Sequence, residues 1–115
     1  MATLIYKICT TALWRQAEAD GIFRGAPIDL DDGYIHFSTA AQVEETAAKH
    51  FKGQSDLMLV AVEAEALGDD LRYEVSRGGS LFPHLYAPLP LSAVHWAVPL
   101  PLDGNGRHVF PDLST

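Results

Sequence analysis

Paired cysteines, long apolar runs and an excess of basic residues are all missing from this sequence, and each absence narrows what the chain can be. With a single cysteine, Cys9, no internal disulfide can form, and nothing calls for an oxidising compartment. The longest apolar run, Leu57 to Val62, falls far short of the roughly 20 residues that cross a bilayer, and Met1-Ala2-Thr3-Leu4 has no basic region ahead of an apolar one. A soluble, cytoplasmic protein without a membrane partner is the expectation. Eight Lys and Arg against fifteen Asp and Glu give a formal net charge of −7. That charge opposes nucleic acid, whose affinity for proteins comes largely from neutralised phosphates. Gly104-Asn105-Gly106 lacks the strand–turn–helix setting of a dinucleotide fingerprint.

What is present suits one domain spanning residues 1–115, 48% hydrophobic and 20% charged. Thr3 to Cys9 alternates as a strand, with Leu4, Tyr6 and Ile8 on one face and Ile5, Lys7 and Cys9 on the other, so that Lys7 should reach an edge or a cleft. A helix follows from Thr11, capped by Thr10 or Thr11 and stopped at Gly21. Gly25, Pro27, Asp29, Asp31 and Asp32 predict an ordered loop from Gly21 to Gly33. Tyr34 to Ser38 reads as a strand. Thr39 with Gln42 three residues later is a capping-box signature for a second helix carrying Ala40, Val43, Ala47 and Phe51 inward and a Glu45–Lys49 pair outward.

Leu57 to Val62 is apolar at both parities, as in a central strand covered on both faces. Leu71 to Val75 and Ala93 to Val98 read as further strands, the latter with Val94, Trp96 and Val98 on its core face. Gly78 to Phe82 is expected as a loop. Asp103-Gly104-Asn105-Gly106 suggests a terminal hairpin between the Leu100 region and His108 to Phe110. This order argues for an α+β domain with two main helices on a mostly antiparallel, strongly bent sheet.

Two segments carry the chemistry. In Tyr34-Ile35-His36-Phe37-Ser38, alternation sends Ile35 and Phe37 to the core and lines up Tyr34, His36 and Ser38 on the other face, beside a helix start. His36 there can either hold the aspartate-rich loop through Asp31, Asp32 or a carbonyl, or contact a ligand. In Phe82-Pro83-His84-Leu85-Tyr86, proline stiffens an extended segment from which His84 and Tyr86 can project together. Glu74 is the best-placed acid, either a solvated carboxylate paired with Arg72 or Arg77 or a group that stabilises developing positive charge. Arg72 and Arg77 beside Gly78-Gly79 are also a candidate small-phosphate patch. Cys9 reads as packing. His36, His84, His95 and His108 show no recognised metal-ligand spacing, so no metal is expected, although His36 and His84 with an aspartate from Asp29 to Asp32 would be the set for a metal-dependent hydrolase.

Ile5-Tyr6-Lys7-Ile8, Trp14, Ala17, Gly21, Gly25, Asp29, Asp32-Gly33-Tyr34-Ile35-His36-Phe37-Ser38, Gln42, Glu74 and Phe82-Pro83-His84-Leu85-Tyr86 resemble a bacterial and plant family of small domains, domain of unknown function 952. That family is thought to resemble in fold the ADP-ribosyltransferases, which bind NAD in a cleft of a split antiparallel sheet. The resemblance implies His36 as the strand histidine on the nicotinamide ribose and Ser38 or Thr39 as the small polar residue after it. It implies Tyr86, Tyr34 or Tyr6 as the aromatic on nicotinamide and Glu74 as the glutamate that supports the oxocarbenium-like transition state. The expected site is therefore His36, Glu74 and Tyr86 as catalytic residues, with Tyr34, Ser38, Thr39 and His84 binding a nucleotide-like small molecule and NAD as substrate. A non-catalytic module holding a metabolite or peptide in the same cleft is the alternative.

Overall fold

A computed structural model describes residues 3–76 and 78–113 of the chain. At its centre lie β1 (Leu4–Thr10) and β5 (Leu57–Glu63), antiparallel neighbours whose side chains are buried on both faces. The expected alternation of β1 holds. Ile5 and Cys9 enter one apolar cluster, Tyr6 and Ile8 a second on the opposite face.

Thr10 Oγ1 accepts from the Leu13 N–H at 3.2 Å and starts α1 (Thr11–Asp20), which buries Trp14 and Ala17 and ends on Gly21 at φ 77°. Next come β2 (Ile22–Phe23) and α2 (Pro27–Asp32). A loop was expected across 21–33, and α2 corrects that expectation. Pro27 opens the helix where its missing N–H costs nothing, Asp29 Oδ2 accepts from the Ala26 N–H at 2.7 Å, and Gly33 closes it at φ 85°. The same turn-forming residues serve as the two ends of one short helix.

β3 (Ile35–His36) and β4 (Ser38–Thr39) are consecutive in sequence yet belong to different sheets. β4 pairs with β1 in a four-stranded sheet of order β4-β1-β5-β9, where β9 is Val94–Leu100. β3 pairs with β7 (Ser80–Leu85), which also pairs with β6 (Leu71–Ser76), giving a three-stranded sheet of order β3-β7-β6. β8 (Leu89–Pro90) joins β2 in a small third sheet, and all these pairings are antiparallel. The fork between the two larger sheets has a cause in Pro83. Phe37 N–H donates to Pro83 O at 3.0 Å, but Pro83 has no N–H to return, so the β3–β7 ladder ends there and the strand is released towards β1.

β7 corrects a second expectation at residues 80–82, which were expected as loop, while the extended segment expected from Phe82 onward is part of the same strand. Tight pairing to strands on both sides supplies the regularity that Gly78, Gly79 and Pro83 hid. After a turn at residues 40–42, α3 (Val43–His50) buries Val43 and Ala47; it starts later than expected and leaves Ala40 exposed. Half of its capping box forms, with Thr39 N–H donating to Gln42 Oε1 at 3.1 Å. In β9 a register shift opposite Ala61/Val62 sends Val94 to the first cluster and Trp96 and Val98 to the second, where one shared face was expected. The terminal hairpin forms where expected, with a Leu102–His108 bridge and the Val109 N–H donating to Pro101 O at 2.8 Å, while Leu100 itself pairs with Leu57. Among the described residues, no helix is long and apolar enough to cross a membrane.

Candidate functional site

The fork creates one continuous face. Tyr6 lies opposite Ser38, His36 opposite His84 and His84 opposite Arg72. Because side chains alternate, Glu74 and Phe82 share that face with Arg72 and His84. α3 overhangs it. A cleft of about 500 Å³ opens between them, lined by Tyr6, Ile8, Ile28, Tyr34, His36 and His50 among others, which is within the range of small-molecule sites. A second hollow, about 390 Å³, continues along α3 to Ser80 and Phe82 and shares Thr46 and His50 with the first.

His36 and His84 come from segments almost fifty positions apart, yet their ring centroids lie 5.6 Å apart. Tyr34 stacks on His84 at 4.1 Å, and its ring stands 4.7 Å from His36 and 5.2 Å from Tyr86. Glu74 Oε1 accepts from Tyr86 O–H at 2.6 Å and lies 2.9 Å from His84 Nδ1. The Tyr86 hydrogen bond first, then that of His84, holds the Glu74 carboxyl below its ordinary range, and the same bond raises the Tyr86 phenol. Glu74 is therefore an ionised, partly exposed carboxylate on the same face, engaged with His84 and Tyr86 rather than in an ion pair with Arg72. The Arg72 guanidinium sits 5.0 Å over the Tyr86 ring, and Arg77, its expected companion in a phosphate patch, lies outside the described residues.

His36 is held on both sides. Nδ1 lies 2.6 Å from Asp29 Oδ1, and Nε2 lies 2.9 Å from Asp32 Oδ2. Asp29 is almost fully buried, as is the Lys7 ammonium that meets its two oxygens at 2.9 and 2.8 Å. Burial by itself would raise the Asp29 carboxyl. The His36 hydrogen bond, the Lys7 charge and the Ala26 N–H outweigh it and hold the group at about 2. Burial pulls Lys7 down against the attraction of Asp29, and with both carboxylate oxygens in contact the pair is ionic.

The structure thus gathers His36, Glu74, Tyr86, Tyr34 and His84 into one cluster. Ser38 lines the cleft but is buried, its hydroxyl 2.9 Å from Thr46 Oγ1. Thr39 points its chemistry elsewhere: it pairs with Ile5, and its N–H bonds Gln42. Missed by the sequence was Asp29 as the hub joining Lys7 to His36. The available signal was Lys7 itself, a lone charge amid apolar residues of a central strand, which needs a buried counter-charge. Cys9 is buried and its thiol is pushed up to about 11 by burial, as suits packing. Among the described residues, no group of three or more His, Cys, Asp or Glu side chains is placed to hold a metal ion.

The comparisons with known proteins agree with this geometry at the level of family. No curated protein matches the chain. The crystal structure of protein CC0527 from Caulobacter crescentus is 54% identical, with a TM-score of 0.89, covering 93% of this chain and 94% of that chain. The solution NMR structure of CC0527 is 55% identical, with a TM-score of 0.82 and 90% of each chain covered. The model of a family described as protein of unknown function (DUF952) matches residues 8–97, most of the chain, and the protein belongs to that family.

Proposed function

We propose that the cleft binds an NAD-like dinucleotide and that the chain is an ADP-ribosyltransferase-like enzyme acting at the nicotinamide glycosidic bond. The observation that carries this reading is the convergence of His36, His84 and an ionised Glu74 on one face at the fork of an antiparallel sheet. Breaking the bond between ribose C1′ and the nicotinamide nitrogen sends its electron pair to the departing ring and leaves positive charge on the ribose. A carboxylate fixed beside that position stabilises the charge as it develops. Glu74, oriented by Tyr86 and His84, is that group, and His36 Nε2 holds a ribose hydroxyl. Tyr34 and Tyr86 offer ring faces to the base. The acceptor hydroxyl oxygen supplies the electron pair of the new bond to C1′ and loses its proton to solvent water.

One observation favours a second reading, a non-catalytic module using the same cleft: both ring nitrogens of His36 are already bonded within the chain. Thermal unfolding with NAD, ADP-ribose and nicotinamide, followed by mass spectrometry of the mixtures, separates the two. Ligand at a hundredfold over its dissociation constant stabilises by about 2.7 kcal/mol, a shift of roughly ten degrees for a domain of this size. The enzyme reading expects that shift with NAD or ADP-ribose, its loss in His36→Ala, and free nicotinamide as product. Stabilisation without product supports the module, and no shift with any of the three removes the nucleotide.

A further inference from the structure

A buried ion pair is a costly way to fill a core, because taking two charges out of water offsets most of their attraction. The Lys7–Asp29 pair sits under the cleft, its side chains only 7% and 1% exposed, and neither residue has a part in the chemistry above. Asp29 gathers donors from three directions: Lys7 Nζ from β1, the Ala26 N–H at the start of α2, and both the main-chain N–H (3.1 Å) and ring Nδ1 (2.6 Å) of His36 from β3. A carboxylate kept ionised by an adjacent ammonium can only accept. The imidazole nitrogen facing it must therefore be the one that carries hydrogen.

We infer that Lys7 and Asp29 form a positioning device that fixes the ring orientation and tautomer of His36, with Nδ1–H turned inward and Nε2 presented to the cleft. Two contacts from Asp29, to the backbone and to the ring of the same residue, leave His36 little freedom to rotate. Lys7 keeps the carboxylate charged, and Asp29 transmits the constraint. Asp32 occupies the outward nitrogen at 2.9 Å, and its side chain is 41% exposed. A neutral ring carries one hydrogen, which stays on the nitrogen facing buried Asp29, so the ring releases the exposed Asp32 and a ligand hydroxyl takes its place. The structural part of this inference needs no ligand. Its consequence for binding rests on the nucleotide reading.

The test is ¹⁵N NMR of the imidazoles at about pH 9, above the ordinary range of histidine, with His36 assigned by the resonance missing from His36→Ala. The wild-type protein is expected to show Nδ1 as the protonated nitrogen and Nε2 as the bare one. Lys7→Met/Asp29→Leu, which removes both charges and the acceptor facing Nδ1, is expected to lose that preference while unfolding cooperatively. A wild-type ring protonated on Nε2 with a bare Nδ1 overturns the inference without recourse to any variant, as does a folded double variant that keeps the wild-type tautomer. In parallel, NAD is expected to bind the double variant about tenfold more weakly, the scale of loss when an orienting partner is removed from a functional histidine. If NAD fails to bind the wild type, the nucleotide reading falls while the tautomer result still decides the inference.

Discussion

The two histidines of the cluster, His36 and His84, are built in opposite senses. At His36 the ring is partly exposed and its orienting carboxylate, Asp29, is sealed in the core; at His84 the ring is 3% exposed and the carboxylate, Glu74, lies at the surface with 37% exposure. One station therefore exposes an imidazole, the other a carboxylate. The difference teaches how a small domain obtains two chemistries from one pair of residue types. Whichever partner is buried becomes scaffold, held by packing and desolvation, and the partner left outside becomes available to a ligand.

Removing the scaffold partner should cost stability, and removing the outward one should cost function. The largest effect is expected for Asp29→Ala, which strands the Lys7 ammonium in the core. A loss of about 3–5 kcal/mol in urea unfolding follows from an uncompensated buried charge, and Lys7→Met/Asp29→Leu should lose markedly less.

Acid sharpens the same contrast. Asp29 titrates at about 2 in the folded chain against 3.8 ordinarily. Its folded value is depressed, so its contribution is complete above the unfolded value and disappears as pH falls through the folded one. On the order of 2 kcal/mol should be lost between about pH 5 and pH 2, measured by chemical denaturation across that range, and this limb should flatten in the double variant.

Glu74→Gln is expected to leave urea unfolding nearly unchanged, since exposed pairs contribute little, yet, on the enzyme reading, to abolish nicotinamide release. Equal losses of stability for Glu74→Gln and Asp29→Ala would break the comparison. The smallest effect is expected for Tyr86→Phe. Without its hydroxyl the Glu74 carboxyl should move back up towards the ordinary range, read by carboxyl NMR titration, with little change in unfolding.

Much of the frame was legible in the sequence because it is written in local patterns: the alternation of β1, the two-sided apolarity of β5, the Thr10 cap and the Glu45–Lys49 pair, which meets at 2.8 Å. What stayed hidden depends on partners distant in the chain. β7 is regular because β3 and β6 flank it, although its own proline and the glycines just before it argue otherwise. The helix at 27–32 was misread because Pro, Asp and Gly serve turns and helix ends alike. At the site, the pairing of His36 with the aspartate segment was among the readings open to the sequence. Asp32 was one of the partners expected for His36, and it bonds the outer nitrogen; the choice of buried Asp29 for the inner nitrogen was not legible, since it is set by Lys7 twenty-two positions away.

Pro83 has one more consequence. The strand from Ile35 to Thr39 behaves as a zip fastener whose teeth engage β7 at one end and β1 at the other, and the missing donor is the stop that keeps the slider at Phe37. Valine at position 83 would supply the absent tooth and let the fastener run one residue further, drawing Ser38 away from Tyr6. The mouth of the cleft is thus set by an atom the chain does not have.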